Sequence, residues 1–444
     1  MLTFINSFTK KKELFSPSNP PKVRMYVCGI TPYAPAHIGH GRCYVTFDLV
    51  FRLLTFLGYH VDYCRNITDI DDKLLKKAVD EFGDAKQFTV IADRYITEYR
   101  TDMKLLNCLT PTYEPRVTAH IPEIISFIQN LIQKGIAYQS NGDVYFAVRE
   151  FPGYGKLSKR KLDDMRAGER VDIREEKKDP LDFALWKHEP EITFWQSPWG
   201  NGRPGWHIEC SALAYTYLGQ HLDIHGGGLD LMFPHHENEI AQSEARFNGS
   251  FARFWLHNGF VQVNNEKMSK SLGNVINLDA LFKEIDPMVL RYYYLSHQYR
   301  MPIDFSEQTI RGLEKSYERL CNAFLDVQET PVSFEQAQHV PVIDHMLSLL
   351  CDDLNTPGMF GVLFESLDRL KKHENEAARV KYILTKILGL TLHPLEQKKV
   401  QITPEIQAIL DEREHARAQK DWKRADELRD QLIKMGIPIQ DKKV

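Results

Sequence analysis

"TPYAPAHIGHG", residues 31–41, follows the β-rich run "VRMYVCG" (23–29) and precedes a segment of helical pattern. Pro32 and Pro35 stiffen the connection by fixing φ. After Gly41 the residues Tyr44, Phe47, Val50, Leu54 and Leu57 recur at intervals of three and four, the period of a helix. His37 and His40 therefore fall where a strand gives way to a helix. A helix start presents backbone N–H groups without intrahelical partners and the positive end of the dipole, which suits an anion. Two imidazoles there add donors for phosphate oxygens. Taken alone, the stretch is equally compatible with a surface turn carrying two incidental histidines.

Outward from this junction, residues 23–110 alternate strand and helix. "VRMYVCG" is followed by a helix over 41–58, then "HVDYCRNITD", then a charged helix from about Lys73 to Leu106. That order predicts a parallel α/β unit. "TPTYEPRVTAH" interrupts it. Residues 112–200 then read as an insertion, with a helix over "HIPEIISFIQNLIQKG" and a hairpin in "IAYQSNGDVYFAV", where Asn-Gly divides alternating apolar residues. The charged run 155–178 holds nine basic and six acidic residues, and a solvated loop accounts for most of them. Strand–helix grammar resumes at Pro204 with "HLDIHGGG", "HHENEIAQSEARF" and "FARFWLHNGFVQV". From about Ile310 the pattern is helical, and a last stretch opens at Thr403-Pro404, an N-cap and N1 pair. The expected division is 1–111 and 201–310 as two halves of a Rossmann-like parallel-sheet domain, with 112–200 inserted between them. An all-α region follows, split into 311–400 and a small segment, 401–444.

Bulk properties set bounds. For 444 residues the prior is roughly three domains or sub-domains. A net charge of −4 makes no global electrostatic claim on nucleic acid, so any such contact needs local patches. The seven cysteines are scattered and form no C-x-x-C, which fits a reducing compartment with one or two thiols as metal ligands. The N-terminus lacks the apolar run of a secretory signal, and no stretch approaches a membrane span. A cytoplasmic protein is expected.

Two more clusters carry chemistry. In "FPHHENEIAQ", His235 and Glu239 are four apart and share a helix face, while His236 and Glu239, three apart, form a competing pair. Cys28, at the end of the first strand, and Cys210, in "GWHIECSA", are candidate thiolates. Two thiolates, an imidazole and a carboxylate point to zinc before magnesium or calcium. Sequence spacing alone does not unite them, but sites in parallel sheets gather at the carboxyl ends of strands. The other cluster is "NNEKMSKSLGN" (264–274), whose Lys267 and Lys270 suit a polyphosphate held during reaction. In isolation such a loop is more often a solvated turn.

"HIGH" at 37–40 together with "KMSKS" at 267–271 resembles the paired signature of class I aminoacyl-tRNA synthetases. "MYVCGITPYAPAHIGHGR", "NITDIDDK", "DIHGGGLDLMFPHHENEIAQSEA" and "MSKSLGN" are similar to the cysteinyl branch of that family, over nearly the whole chain and most closely over 20–310. The resemblance implies ligation of L-cysteine to its tRNA through a cysteinyl adenylate. ATP would enter with Mg2+, and His37, His40, Lys267 and Lys270 would serve catalysis. It implies a nucleotide site that includes Gly39 and Ser269, with Gly226, Gly227 and Gly228 letting the backbone approach adenine and ribose. Cys28, Gly29, Thr68, Trp206 and Asp230 would surround the amino acid. Cys28, Cys210, His235 and Glu239 would hold one Zn2+ per chain, which chooses between the two histidines. A monomer is expected. The family often carries a basic C-terminal extension, whereas this chain ends at "PIQDKKV".

Three rivals remain in view. A sister class joins cysteine to an amino sugar on the same adenylating core, but lacks a helical tail such as the one after 310. A non-catalytic RNA-binding paralogue would be expected to lose some of the four basic signature residues. A zinc hydrolase built on "HHENE" would need an open metal position and a separate general base, and neither is evident.

Overall fold

Four strands form a single parallel sheet: β1 (Lys22–Ile30), β2 (His60–Ile67), β3 (Leu222–Gly228) and β4 (Ala252–Asn258), in the spatial order β4–β3–β1–β2. This computed structural model describes residues 1–161, 177–189, 194–268, 272–395 and 404–434. The strands are buried along most of their length, as both faces of a parallel sheet require. From β1 the chain passes through α1 (Ile38–Phe56) to β2 on one side, and later returns to β3 on the other side of β1. The carboxyl ends of β1 and β3 therefore flank a topological switch point, where α/β sheets bind ligands.

The helix predicted after Gly41 begins three residues earlier, at Ile38, and is buried on nearly all sides. Its charged residues are satisfied internally. Asp48 accepts from Arg52 at 2.7 Å and from Arg291 at 2.5 Å. Arg42 donates to the carbonyls of Phe260 (2.7 Å), Gln298 (3.3 Å), Tyr299 (3.0 Å) and Met301. These bonds fix α1 to the edge of the small sheet formed by 261–263, 266–267 and 303–305.

The single charged helix expected over 73–106 is instead two helices, Asp72–Phe82 and Phe88–Leu105. Gly83 caps the first in the left-handed region (φ 72°), which costs glycine nothing. The inserted region holds a four-stranded antiparallel sheet of 137–140, 143–146, 183–188 and 202–204. Its first pair is the hairpin expected at Asn-Gly. Asn141 (φ 52°) and Gly142 (φ 89°) both take the positive φ of a type I′ turn. The last strand lies just past residue 200, where the insertion was expected to end. The helices α2 (Trp206–Leu218) and α3 (Glu237–Phe247) follow.

After residue 306 the described elements are all helices. Residues 1–393 form one compact unit and 394–444 another. In the second, the helices Pro404–Ala418 and Trp422–Lys434 bury Ile406, Ala425, Leu428 and Leu432. Trp422, the first residue of the second helix, is 59% exposed.

Candidate active site and metal centre

At the switch point lies a cavity of about 1030 Å³. Cys28, Gly29, His37, Gly39, His40, Trp206, Gly228 and Asp230 line it, all expected site residues, and Tyr33, Asp71, Lys73, Asn258 and Met268 line it as well. The two sequence signatures meet here through the backbone. Ile38 N–H donates to Ile276 O (3.0 Å), Leu278 N–H donates to Ala36 O (2.8 Å), and His37 bridges Asn277. The segment that follows the lysine loop is thus paired with the segment that enters α1. Lys267 lies in a two-residue strand with Glu266, opposite Gln262. Ser269 and Lys270 lie outside the described residues.

His37 caps α1. Its backbone N–H donates to His40 Nδ1 at 3.1 Å, and the two rings stack at 3.7 Å. An Nδ1 that accepts leaves the proton of neutral His40 on Nε2, as a donor. Gly39 sits between the signatures, since a Cβ there would stand 3.0 Å from His37 Nδ1 and 3.4 Å from Met268 Cε. The three glycines of β3 divide. Gly228 lines the cavity, whereas a Cβ at Gly226 would run into the Phe47 ring and one at Gly227 would stand 3.0 Å from His236 Cε1. Packing of the strand against α1 thus accounts for Gly226. Thr68 is buried, accepts from Asn66 Nδ2 at 3.1 Å, and is not among the described residues that line the cavity.

Cys28 forms part of the cavity wall, and a buried cluster of ligand-type groups adjoins it. The β1–β2 register shifts between Val27 and Ile30, and Gly29 N–H donates to Asn66 Oδ1 at 2.9 Å. A side chain at Gly29 would collide with the Asn66 carbonyl, so only glycine permits this close approach. The irregularity sets the direction of Cys28. The ligand atoms of Cys28, Cys210, His235 and Glu239 lie within 4.8 Å of one another, all buried. Cys28 Sγ is 3.4 Å from Glu239 Oε1, which is 3.2 Å from His235 Nε2. Bonds of about 2.0–2.3 Å in a tetrahedron give ligand separations of about 3.3–3.8 Å. The chemistry and spacing of this set fit zinc.

A second set, Cys28, His225, His236 and Glu239, is equally close. His236 Nε2 is 3.3 Å from Cys28 Sγ, and His225 Nε2 is 2.8 Å from Glu239 Oε2. Each rival histidine has its other nitrogen occupied: His235 Nδ1 faces His207 Nδ1 at 2.8 Å, and His236 Nδ1 faces His257 Nε2 at 2.8 Å. Only the first set brings two thiols, the softer combination. His207, His225 and His257 were not singled out from sequence. His257 stands near the carboxyl end of β4, the position that marked Cys28, whereas His225 lies at the middle of β3.

Burial pushes His235 and His236 far below the ordinary imidazole range, and takes His207 and His257 to about 3. They are neutral, the form that ligates a metal. Burial raises the Cys28 thiol. A hydrogen bond with Cys28 pulls Cys210 down, yet burial and the Glu239 charge carry it above its ordinary value. A divalent cation among these groups would reverse the direction for both thiols.

Residues 14–315 match the family model described as tRNA synthetases class I (C) catalytic domain, and 400–444 match the cysteinyl-tRNA ligase anticodon binding domain. Cysteine–tRNA ligase of Coxiella burnetii (strain Dugway 5J108-111) is 46% identical, covering 99% of this chain and 98% of its own length. Those of Geobacter sp. (strain M21) and Staphylococcus carnosus (strain TM300) are 43% and 42% identical with the same coverage. Among solved structures, Mycobacterium tuberculosis methionyl-tRNA synthetase with methionyl-adenylate aligns with a TM-score of 0.59 at 13% identity, over 83% of this chain and 90% of that one. A putative arginyl-tRNA synthetase from Campylobacter jejuni aligns at 0.53 and 14%, over 86% and 96%. At these identities the structural likeness shows the fold. Among the described residues no helix is long and apolar enough to cross a membrane.

Proposed function

The chain belongs to the cysteinyl-tRNA ligase family of class I aminoacyl-tRNA synthetases, and from that premise we propose that it joins L-cysteine to tRNA(Cys) in two steps at the switch-point cavity. The observation that carries this reading is the shared cavity wall: the His37/His40 helix start and the thiol of the metal-type cluster line one space.

In the first step the cysteine carboxylate attacks the α-phosphorus of ATP, which enters with Mg2+, and pyrophosphate leaves. Charge builds on phosphate oxygens, so positioned donors do most of the work. His40, with its proton on Nε2, and His37 at the amino end of α1 supply them on one side. Lys267, Lys270 and Ser269 of the second signature hold the departing pyrophosphate on the other. Gly39 keeps the floor between them low. Gly226, Gly227 and Gly228 border the adenosine, with Gly228 nearest the cavity. Gly29, Trp206, Asp230 and Thr68 frame the amino acid. In the second step the 2′-hydroxyl of the terminal adenosine attacks the adenylate carbonyl, the bond from that carbonyl to the phosphate oxygen breaks, and AMP leaves.

Cys28, Cys210, His235 and Glu239 would hold zinc, and a zinc ion there supplies a soft cation that takes up a thiolate far better than a hydroxyl. Cysteine and serine differ by one atom of similar size, and apolar contacts distinguish such pairs by only about 1–3 kcal/mol. Selectivity through this metal needs no editing domain. The rest of the proposal follows the expected division. The halves 1–111 and 201–310 carry the chemistry, 112–200 is an insertion, and 311–400 and 401–444 hold and read tRNA, in a cytoplasmic monomer.

Exchange of labelled pyrophosphate into ATP tests this. It is expected to depend on cysteine, to proceed without tRNA, and to be far weaker with serine. Serine exchange comparable to that with cysteine would refute selection by the metal. Cysteine-dependent exchange with transfer to an amino sugar but not to tRNA would refute the tRNA reading.

A further inference from the structure

The helix that offers Glu239 is held from outside by a segment of the insertion. Glu237, at the start of α3, is fully buried, and its two carboxylate oxygens accept from successive backbone amides: Leu157 N–H at 3.2 Å and Ser158 N–H at 2.8 Å. One residue further along α3, Asn238 Oδ1 accepts from Tyr154 Oη at 2.5 Å. Two turns along, Glu244 pairs with Lys156. On the other side of the turn, the Arg160 guanidinium lies 4.4 Å from the centre of the Phe233 ring, two residues before His235. Residues 154–160 thus grip the 233–244 stretch at both ends and in the middle. None of these groups lines the cavity of about 1030 Å³.

Charge decides which contact matters most. A buried carboxylate that receives two N–H donors is held by charge-assisted bonds, about twice as strong as neutral ones and confined in direction. Glu237 is two residues from both His235 and Glu239, so its anchoring fixes the rotation of the first turn of α3. That rotation decides whether Glu239 Oε1 stays 3.2 Å from His235 Nε2 and 3.4 Å from Cys28 Sγ.

We propose that residues 154–160 are a strap that positions the metal-binding turn, and that Glu237 is the positioning residue through which the inserted region controls metal retention. This rests on the metal reading above. Outer groups that orient ligands commonly change metal affinity by about 10- to 100-fold when lost. In Glu237→Gln the amide oxygen accepts one N–H while its NH2 faces the other, so one buried donor is orphaned. Tyr154→Phe keeps the ring and removes one bond.

The test measures zinc release from the full-length holoprotein to a chromophoric chelator, together with the visible spectrum of the Co2+-substituted protein. Circular dichroism checks that each variant is folded. Release is expected to accelerate about tenfold or more in Glu237→Gln, and about two- to fivefold in Tyr154→Phe. The Co2+ bands should change in both, because the ligand geometry has changed. Leu347→Ala serves as a control, since it opens a cavity in the core around the Pro341–Leu350 helix and lowers stability without touching the strap. Folded variants with wild-type release and spectrum overturn the proposal. So does equal acceleration in Leu347→Ala, which would make the effect one of global stability. A wild-type protein that takes up neither zinc nor Co2+ overturns the metal reading itself.

Discussion

Gly39→Ala separates positioning from stability at the junction of the two signatures. Gly39 is the second residue of α1 and is helical, so alanine meets no backbone strain there. The added methyl would stand 3.0 Å from His37 Nδ1, 3.1 Å from His37 Cε1 and 3.4 Å from Met268 Cε. Carbon contacts are optimal at about 3.5–4.0 Å, so the His37 ring must retreat by about half an ångström. It cannot do so independently, because it stacks 3.7 Å from His40. Crowding of this kind costs about 1 kcal/mol at the low end of its range. The gain in helix propensity from glycine to alanine is also about 1 kcal/mol, so the two nearly cancel and the melting temperature should hold within a few degrees. Catalysis has no such offset. A misplacement of about 1 Å costs about a hundredfold, so half of that predicts about a tenfold loss in the rate of adenylate formation. The apparent KM for ATP should change much less, since adenosine contacts are untouched. Pyrophosphate exchange at varied ATP, read beside a thermal melt, is the assay. A wild-type rate would show that the imidazole pair does not act on the phosphates. A large fall in melting temperature would show that the packing estimate is wrong.

Cys210→Ser should drop bound zinc well below one per chain and weaken cysteine activation, and metal analysis of the purified variant checks it. Retention of full zinc with normal cysteine affinity would remove Cys210 from the ligand set. Lys270→Ala should slow adenylate formation about a hundredfold, the loss of one transition-state contact of about 3 kcal/mol, with little change in ATP affinity. An unchanged single-turnover rate would make that lysine non-catalytic. Trp422→Ala, at a side chain 59% exposed, should leave exchange and melting intact while raising the KM for tRNA. Unchanged charging at low tRNA concentration would deny it a role in recognition.

The sheet was readable from sequence because its strands are short runs of β-branched and aromatic residues set between helical periods, and the hairpin because Asn141-Gly142 has one geometry that suits it. Breaks within a pattern were harder to see. The helical period continues across Gly83 and Asp84, and only the left-handed turn at Gly83 stops it. Gly226 is similar, since the sequence shows three adjacent glycines but not that Phe47 of α1 occupies the space beside the first. The final helices showed the converse. Ile406, Ala425, Leu428 and Leu432 bury as the helical stripe requires, while Trp422 at its edge faces outward and Arg424 is engaged with Glu412 (2.8 Å) and Glu427 (3.3 Å). Arg424 is therefore already committed to neighbouring carboxylates.

The candidate metal centre shows why side-chain chemistry lags behind fold in a sequence reading. Cys28 could be placed because it ends a strand, but what aims it is a register shift made by Gly29 against Asn66, a contact between two strands that periodicity does not encode. The choice between His235 and His236 is harder still. Both follow Pro234, both are buried, and each has one nitrogen close to the shared pair of ligands and the other tied to a further histidine. Helical spacing separates them by one residue, and the geometry brings both within reach of Glu239 and Cys28. What distinguishes the sets is Cys210, contributed by α2, because it joins only the set that contains His235. A metal that prefers two thiolates selects His235 through Cys210. A metal content that survives Cys210→Ser and disappears in His236→Ala would point to the other set.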